Sequence, residues 1–254
     1  MLTPTSGALR VRAERRVFDD SYSATPVIEV AGERVAPLLD PRDGRLGCAR
    51  SEGPVRIAST SAVAWVVAEH GNGTIDLDGS GPVFFGRTDV FAAPGWSAVV
   101  AAGSTVQVAG DIACAVVWRG AGDFVETSRV IDPAAVRIER RGDGATTRTV
   151  RTYIAEGPLI VGETLNPAGG WSSWPPHTHL HEELYLYRFD PADGFGVHVD
   201  LEGSPTVVRD GDVVRITSGE HPVVAAPGSA MYYLWALAGA TGTLDTRVDP
   251  RWRD

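Results

Sequence analysis

The sequence predicts an all-β fold, and three observations carry that expectation. Short runs of β-branched and aromatic residues recur along the chain, at Ala62–Ala68, Val83–Phe85, Ser97–Ala101, Ile112–Trp118, Leu184–Phe189, Val213–Ile216 and Met231–Leu237. Gly, Pro, Asp and Asn cut these runs at intervals of about ten residues, which is the spacing of strands and turns. No segment sustains a 3.6-residue apolar period over three turns, and 29 Gly with 17 Pro leave little room for long helices. Antiparallel strands in a sandwich or barrel follow as the expected class.

The chain divides near its middle. Residues from about 20 to 120 form one strand-rich block, Gly120 to Arg140 reads as a connector, and Arg141-Gly142-Asp143-Gly144 reads as a polar turn. A second strand-rich block runs from about Arg148 to Asp249. The expected division is therefore an N-terminal domain over 1–125, a connector over 126–147 and a C-terminal domain over 148–254. Two strand-rich blocks of similar size imply a duplicated barrel, although no internal repeat is visible.

Composition narrows the function. The 254 residues carry a formal net charge of -9 without a basic cluster, so no nucleic-acid partner is expected. No apolar run approaches the roughly 20 residues of a membrane helix. The first residues lack an apolar leader segment, and the two cysteines, Cys48 and Cys114, stand in no metal-type spacing. A soluble protein of the reducing cytoplasm is expected. All 23 basic side chains are arginine, which excludes lysine-imine and pyridoxal chemistry.

The histidines are distributed unequally. His177, His179, His181 and His198 fall within 22 positions, His221 follows 23 residues later, and only His70 lies in the first block. In Pro175-Pro-His-Thr-His179, alternation on a strand presents two imidazoles to one face. Glu182 or Glu183 can add a carboxylate. Parity with Tyr185 and Tyr187 favours Glu183, leaving Glu182 to face away or to serve in acid–base work. His221, at the start of another strand-like run, can supply a third imidazole. Imidazoles with a carboxylate suit one divalent ion, with Zn or Mn expected and Fe, Co or Ni also compatible. His181 reads as a turn residue, with a fifth ligand or a proton shuttle as alternatives; His198 reads as a strand residue of unassigned role.

These motifs resemble a known family. HxH followed after three residues by Glu is similar to the first cupin motif, and Gly211-Asp-Val-Val-Arg-Ile-Thr-Ser-Gly-Glu-His221 resembles the second. Gly170-Trp-Ser-Ser-Trp-Pro-Pro-His-Thr-His179, Glu182-Glu-Leu-Tyr-Leu-Tyr-Arg-Phe189, Gly194-Phe-Gly196, His221-Pro-Val223 and Tyr232-Tyr-Leu-Trp235 together resemble the 5-deoxy-glucuronate isomerases of myo-inositol catabolism. Arg140-Arg-Gly-Asp-Gly144 and Asp249-Pro250 add to the likeness, which is dense from about residue 130 to 250 and thin before 120. The turn between His179 and Glu183 is shorter than in related isomerases. Thr217 and Glu220 stand where a proline and an aromatic residue are usual.

The resemblance implies a bicupin, two jelly-roll-like barrels in one chain, with a metal-free first barrel. It implies His177, His179, Glu183 and His221 as metal ligands. It also implies an aldose–ketose isomerisation of a small sugar acid through an enediol, needing a divalent ion at the C1 carbonyl and a base between C2 and C1. Glu182, His181, Tyr185, Tyr187 and Tyr233 are candidate acid–base groups. Arg148, Arg151 and Arg215 are candidate carboxylate clamps, while the opposite parity of Arg188 counts against it unless a bulge intervenes. A homo-oligomer is expected. Two other functions suit the same ligands: a metal-dependent dioxygenase, and a non-catalytic sugar-acid-binding protein.

Overall fold

The computed structural model describes residues 9–11, 27–30, 33–34, 38, 45–120, 125–200, 204–239 and 243–252. Most of the N-terminal stretch read for a leader, and residues 121–124 of the expected connector, lie outside these. The described residues contain strands and three short 3-10 turns, and no helix among them is long and apolar enough to cross a membrane. The chain separates into two compact units.

The N-terminal unit is one sheet. Its strands are β2 (Val27–Val30), β3 (Glu33–Arg34), β4 (Leu46–Glu52), β5 (Val55–Ala58), β6 (Val63–Leu77), β7 (Val83–Arg87), β8 (Ser97–Val100), β9 (Thr105–Arg119) and β10 (Arg129–Ile131). They run in the order β10-β8-β6-β9-β5-β2-β3, with β4 on β9 and β7 on β6. The spine is the β6–β9 pair, in register from Val63 opposite Arg119 to Leu77 opposite Val106, with one irregularity between Ala68 and His70. In the sequence only the run Ala62–Ala68 of the first of these strands is legible, and Gly71-Asn72-Gly73 lies beyond it. The glycines permit close strand contact: a Cβ on Gly73 would lie 2.2 Å from the Ala109 carbonyl oxygen. The core is apolar throughout, with Ala64, Val66, Val116 and Trp118 essentially inaccessible.

The C-terminal unit contains β1 (Leu9–Val11), β11 (Arg137–Arg141), β12 (Arg148–Ile154), β13 (Ile160–Asn166), β14 (Trp171–Ser172), β15 (His177–His179) and β16 (Glu182–Asp190). It continues with β17 (Phe195–His198), β18 (Thr206–Arg209), β19 (Val213–Ile216), β20 (Val223–Ala225), β21 (Ala230–Ala238) and β22 (Thr246–Val248). A seven-stranded sheet, β1-β19-β16-β21-β13-β12-β11, accompanies a four-stranded sheet, β14-β20-β17-β18, and the pair β15-β22. The core draws Tyr185, Tyr187 and Tyr233 from the large sheet and Val208, Val223 and Ala225 from the smaller one. Burying a side chain such as Val208 or Val223 contributes roughly 1.5–3 kcal/mol.

Two expectations about organisation are corrected. Leu9–Val11, read as part of the first domain, pairs with Val213–Arg215 in the C-terminal unit. The expected connector over 126–147 holds two strands, since Arg129–Ile131 pairs with β8 and Arg137–Arg141 pairs with β12. Both are short edge strands; the first is only three residues long and the second is rich in arginine, so neither shows the apolar alternation of a half-buried strand. Strand pairing among the described residues does not close a barrel in either unit.

Candidate metal centre

β15 is two histidines and a threonine, held among the described residues by β22, with His177 opposite Val248 and His179 opposite Thr246. Alternation sends both imidazoles to one side, where their ring centroids are 6.0 Å apart. His221 enters from the loop before β20, with its ring 5.0 Å from His177 and 5.1 Å from His179. One ligand atom of each histidine lies within 4.8 Å of the others. Glu183, near the start of β16 and buried, brings Oε2 to 3.1 Å from Nε2 of both His179 and His221. The four residues expected as ligands therefore converge.

Backbone carbonyls orient the rings. The Nδ1 atoms of His177, His179 and His221 lie 2.9, 2.8 and 3.1 Å from the carbonyl oxygens of Pro175, His181 and Gly219. A carbonyl only accepts, so each Nδ1 carries its proton and each Nε2 turns inward. Gly219 presents its oxygen from a left-handed turn at φ 85°. The inward atoms are then three imidazole lone pairs and a carboxylate. The Nε2 of His221 is buried without a hydrogen bond. Burial, with the nearby His221, pushes His177 down to about 4, so it is neutral at pH 7. Burial alone would raise Glu183, but the adjacent His179 and His221 hold it well below the usual carboxylate range. Three imidazoles around one carboxylate form a donor set for a single divalent cation.

His177, His179 and Glu183 of the cluster form part of the wall of a cavity of about 230 Å³. That is below the roughly 300–1,000 Å³ of drug-sized pockets, and suits a small metabolite. Tyr185 and Tyr233 share the wall, with ring centroids 4.3 Å apart. Their hydroxyls are tied to Ser173 at 2.7 Å and Ser172 at 2.9 Å. Burial raises both phenols, so each keeps its proton at neutral pH. Arg148, Val150 and Thr152 reach the cavity from alternate positions of β12, and Arg137 and Arg141 from β11. Sequence reading passed over Ser172, Ser173, Trp235, Arg137 and Arg141. The two serines had a signal, since they lie in the same Trp-rich segment that leads into the histidines.

Other candidates lie elsewhere. Glu182, proposed for acid–base work, faces away by alternation; its Oε1 is 3.6 Å from Nε of the buried Arg215, and it does not line the cavity. Tyr187 shares parity with Glu183 but sits deeper, fully buried, with its hydroxyl 2.9 Å from Nδ1 of His198. Neither serves as a group in contact with a cavity ligand. Arg151 is buried against Glu163 at 3.1 Å, and Arg188 faces Asp210 at 3.3 Å. His181 packs its ring against Gly239 and offers its carbonyl to His179.

The described residues thus form an all-β protein with a three-histidine, one-carboxylate cluster beside a small cavity. The chain belongs to the KduI/IolB family, whose profile matches residues 51–254, and is an enzyme of that isomerase family. It is 36% identical over 186 residues to a 5-deoxy-glucuronate isomerase of Geobacillus thermodenitrificans (strain NG80-2), a match covering 65% of this chain and 67% of that protein. It is 34% identical over 133 residues to the protein of that name in Bacillus subtilis (strain 168), covering 44% and 49%. Among solved structures, an IolB-like protein from Salmonella typhimurium LT2 superposes with TM-score 0.77 at 22% identity, covering 89% of this chain and 97% of that one. A Bacillus subtilis oxalate decarboxylase variant superposes with TM-score 0.51 at 8% identity, covering 84% and 73%. At these identities the two structures speak for the fold alone.

Proposed function

We propose that the chain is a metal-dependent aldose–ketose isomerase that converts 5-deoxy-glucuronate to 5-dehydro-2-deoxy-gluconate in inositol catabolism, within a bicupin of two jelly-roll-like barrels. His177, His179, Glu183 and His221 hold one divalent ion, Zn or Mn by donor type. The observation that carries this reading is the convergence of those four groups, three of them lining a cavity that also takes in Tyr185, Tyr233 and arginine. The relatives named 5-deoxy-glucuronate isomerase support the substrate. Two buried free cysteines accord with a cytoplasmic site of action.

The reaction moves one hydrogen from C2 to C1 and one proton from O2 to O1, with no outside oxidant. A bound divalent ion supplies Lewis acidity that polarises the aldehyde and acidifies the neighbouring hydroxyl. The chain's own residues do the rest. The carbonyls of Pro175, His181 and Gly219 fix the imidazoles before substrate arrives. Tyr185 and Tyr233, protonated at neutral pH, donate hydrogen bonds to substrate oxygens from the facing wall. The small cavity limits water around the enediol.

The test is incubation of metal-replete protein with 5-deoxy-glucuronate under nitrogen, followed by NMR, beside His179→Ala. Conversion to the ketose acid by the wild type alone is expected. An absence of conversion with one ion bound sinks the substrate; conversion by both proteins sinks the metal dependence. Turnover that requires oxygen points instead to a dioxygenase.

A further inference from the structure

We infer that Arg148 binds the carboxylate of the substrate, so that a sugar acid spans the cavity with its acid end on Arg148 and its carbonyl end at the histidine cluster. This assignment rests on the isomerase reading above and adds which residue selects acids over neutral sugars.

Arg148 differs from the other arginines around it in what answers its charge. Its Nη1 donates to the Thr146 carbonyl and its Nη2 to the Trp174 carbonyl, each at 3.0 Å. Both partners are neutral, and among the described residues no carboxylate lies within ion-pair distance. By contrast, Arg137 and Arg141, on the same cavity wall, both bridge to Glu139, at 3.1 and 2.7 Å. Arg151 is matched by Glu163, Arg188 by Asp210 and Arg215 by Glu182. Among the described residues, Arg148 is thus the cavity-lining arginine whose charge has no internal counter-ion.

The geometry suits an anion. A guanidinium has five N–H donors, and two carbonyl bonds leave three for a ligand. A partly buried cation without a counter-ion gains strongly from a carboxylate, and the planar fork accepts one bidentately. The two carbonyl bonds also fix the fork, so little side-chain entropy remains to be lost on binding. Trp174 and Pro175 are adjacent. The carbonyl of one holds Arg148, and that of the next holds Nδ1 of His177. One short segment therefore ties the acid-binding end of the cavity to the metal-binding end.

Arg148→Met and Arg148→Lys test this. Turnover of 5-deoxy-glucuronate is compared with that of the neutral aldose carrying a C6 alcohol, and bound metal is counted. Arg148→Met should raise KM for the acid by about 100-fold while leaving the neutral aldose and the metal within about threefold. Arg148→Lys should recover part of the loss, and added guanidinium ion should partly restore Arg148→Met. Equal losses on acid and neutral sugar, or loss of the metal, overturn the assignment and leave Arg148 a support for the Trp174–Pro175 segment. Calorimetric binding of gluconate, compared with sorbitol, separates this from the reaction itself. Gluconate binding to the wild type but not to Arg148→Met upholds the anion site even if no isomerisation occurs. Equal binding to both proteins, or binding to neither, overturns it.

Discussion

In the N-terminal unit Gly47 lies opposite Trp118, and in the C-terminal unit Gly162 lies opposite Trp235. In both pairs the tryptophan ring lies over the glycine: a Cβ would meet it at 2.2 Å on Gly47 and 2.1 Å on Gly162. The outcomes differ. Trp118 is fully buried among Ala64, Val66 and Val116, whereas Trp235 shares a cavity wall with Glu183, Tyr185 and Tyr233. One interior is a cluster of packed apolar side chains, and the other borders a cavity lined in part with histidine, tyrosine and arginine. The lone histidine of the first unit, His70, stands half exposed, 3.9 Å from Glu52. The same strand class thus serves as scaffold or site according to what its inward positions carry.

The sharpest way to break this contrast is to remove one ligand from the C-terminal unit and the lone histidine from the other. His221→Ala or Glu183→Gln should abolish stoichiometric metal binding and lower activity by at least about 100-fold, while His70→Ala leaves both unchanged. Chelation should lower the unfolding midpoint of the wild type, with a loss of about 2.7 kcal/mol if the metal had stood at 100 times its Kd. Elemental analysis and thermal unfolding read the outcome. An ion retained at wild-type affinity by His221→Ala would place the metal elsewhere.

Much of this contrast was legible in the sequence, for physical reasons that particular residues show. His177 and His179 could be paired because strand alternation is rigid, and the parity of Glu183, Tyr185 and Tyr187 separated inward from outward side chains. Parity says nothing about depth, however. It grouped Tyr187 with Tyr185, although Tyr187 ends at His198 in the core. Which arginine faces the cavity was equally hidden, because Arg148 and Arg151 lie three residues apart on one strand and only register decides their sides. Charged edge strands such as Arg137–Arg141 lack the apolar period that reveals a strand, so they were read as connector.

The glycine pairs give a second, smaller test. Gly47→Ala and Gly162→Ala should each destabilise by about 1–3 kcal/mol, because the tryptophan must move. Only Gly162→Ala should also alter the cavity, raising KM for the sugar acid as Trp235 is displaced. Urea unfolding and steady-state kinetics separate the two effects. A KM change in Gly47→Ala equal to that in Gly162→Ala would erase the distinction between the two interiors.

The smallest expected effect concerns His198, whose ring lies in the core of the C-terminal unit. Burial, with the nearby His221, pushes it down to about 3, and its Nε2 has no hydrogen-bond partner among the described residues. The sign follows from linkage. Above pH 6.5 the ring is neutral in both folded and unfolded chains and contributes no pH dependence. Between 6.5 and about 3 the unfolded chain binds a proton that the folded one refuses, so stability falls as the solution is acidified. At pH 5.5 the cost is about 1.4 kcal/mol relative to neutral pH. His198→Gln removes the titration, so metal-free wild type and variant should differ by that amount in how far their stability drops from pH 7.5 to 5.5. A parallel pH dependence in wild type and His198→Gln would mean that the imidazole is hydrated in the folded chain and that this interior is wetter than its packing indicates.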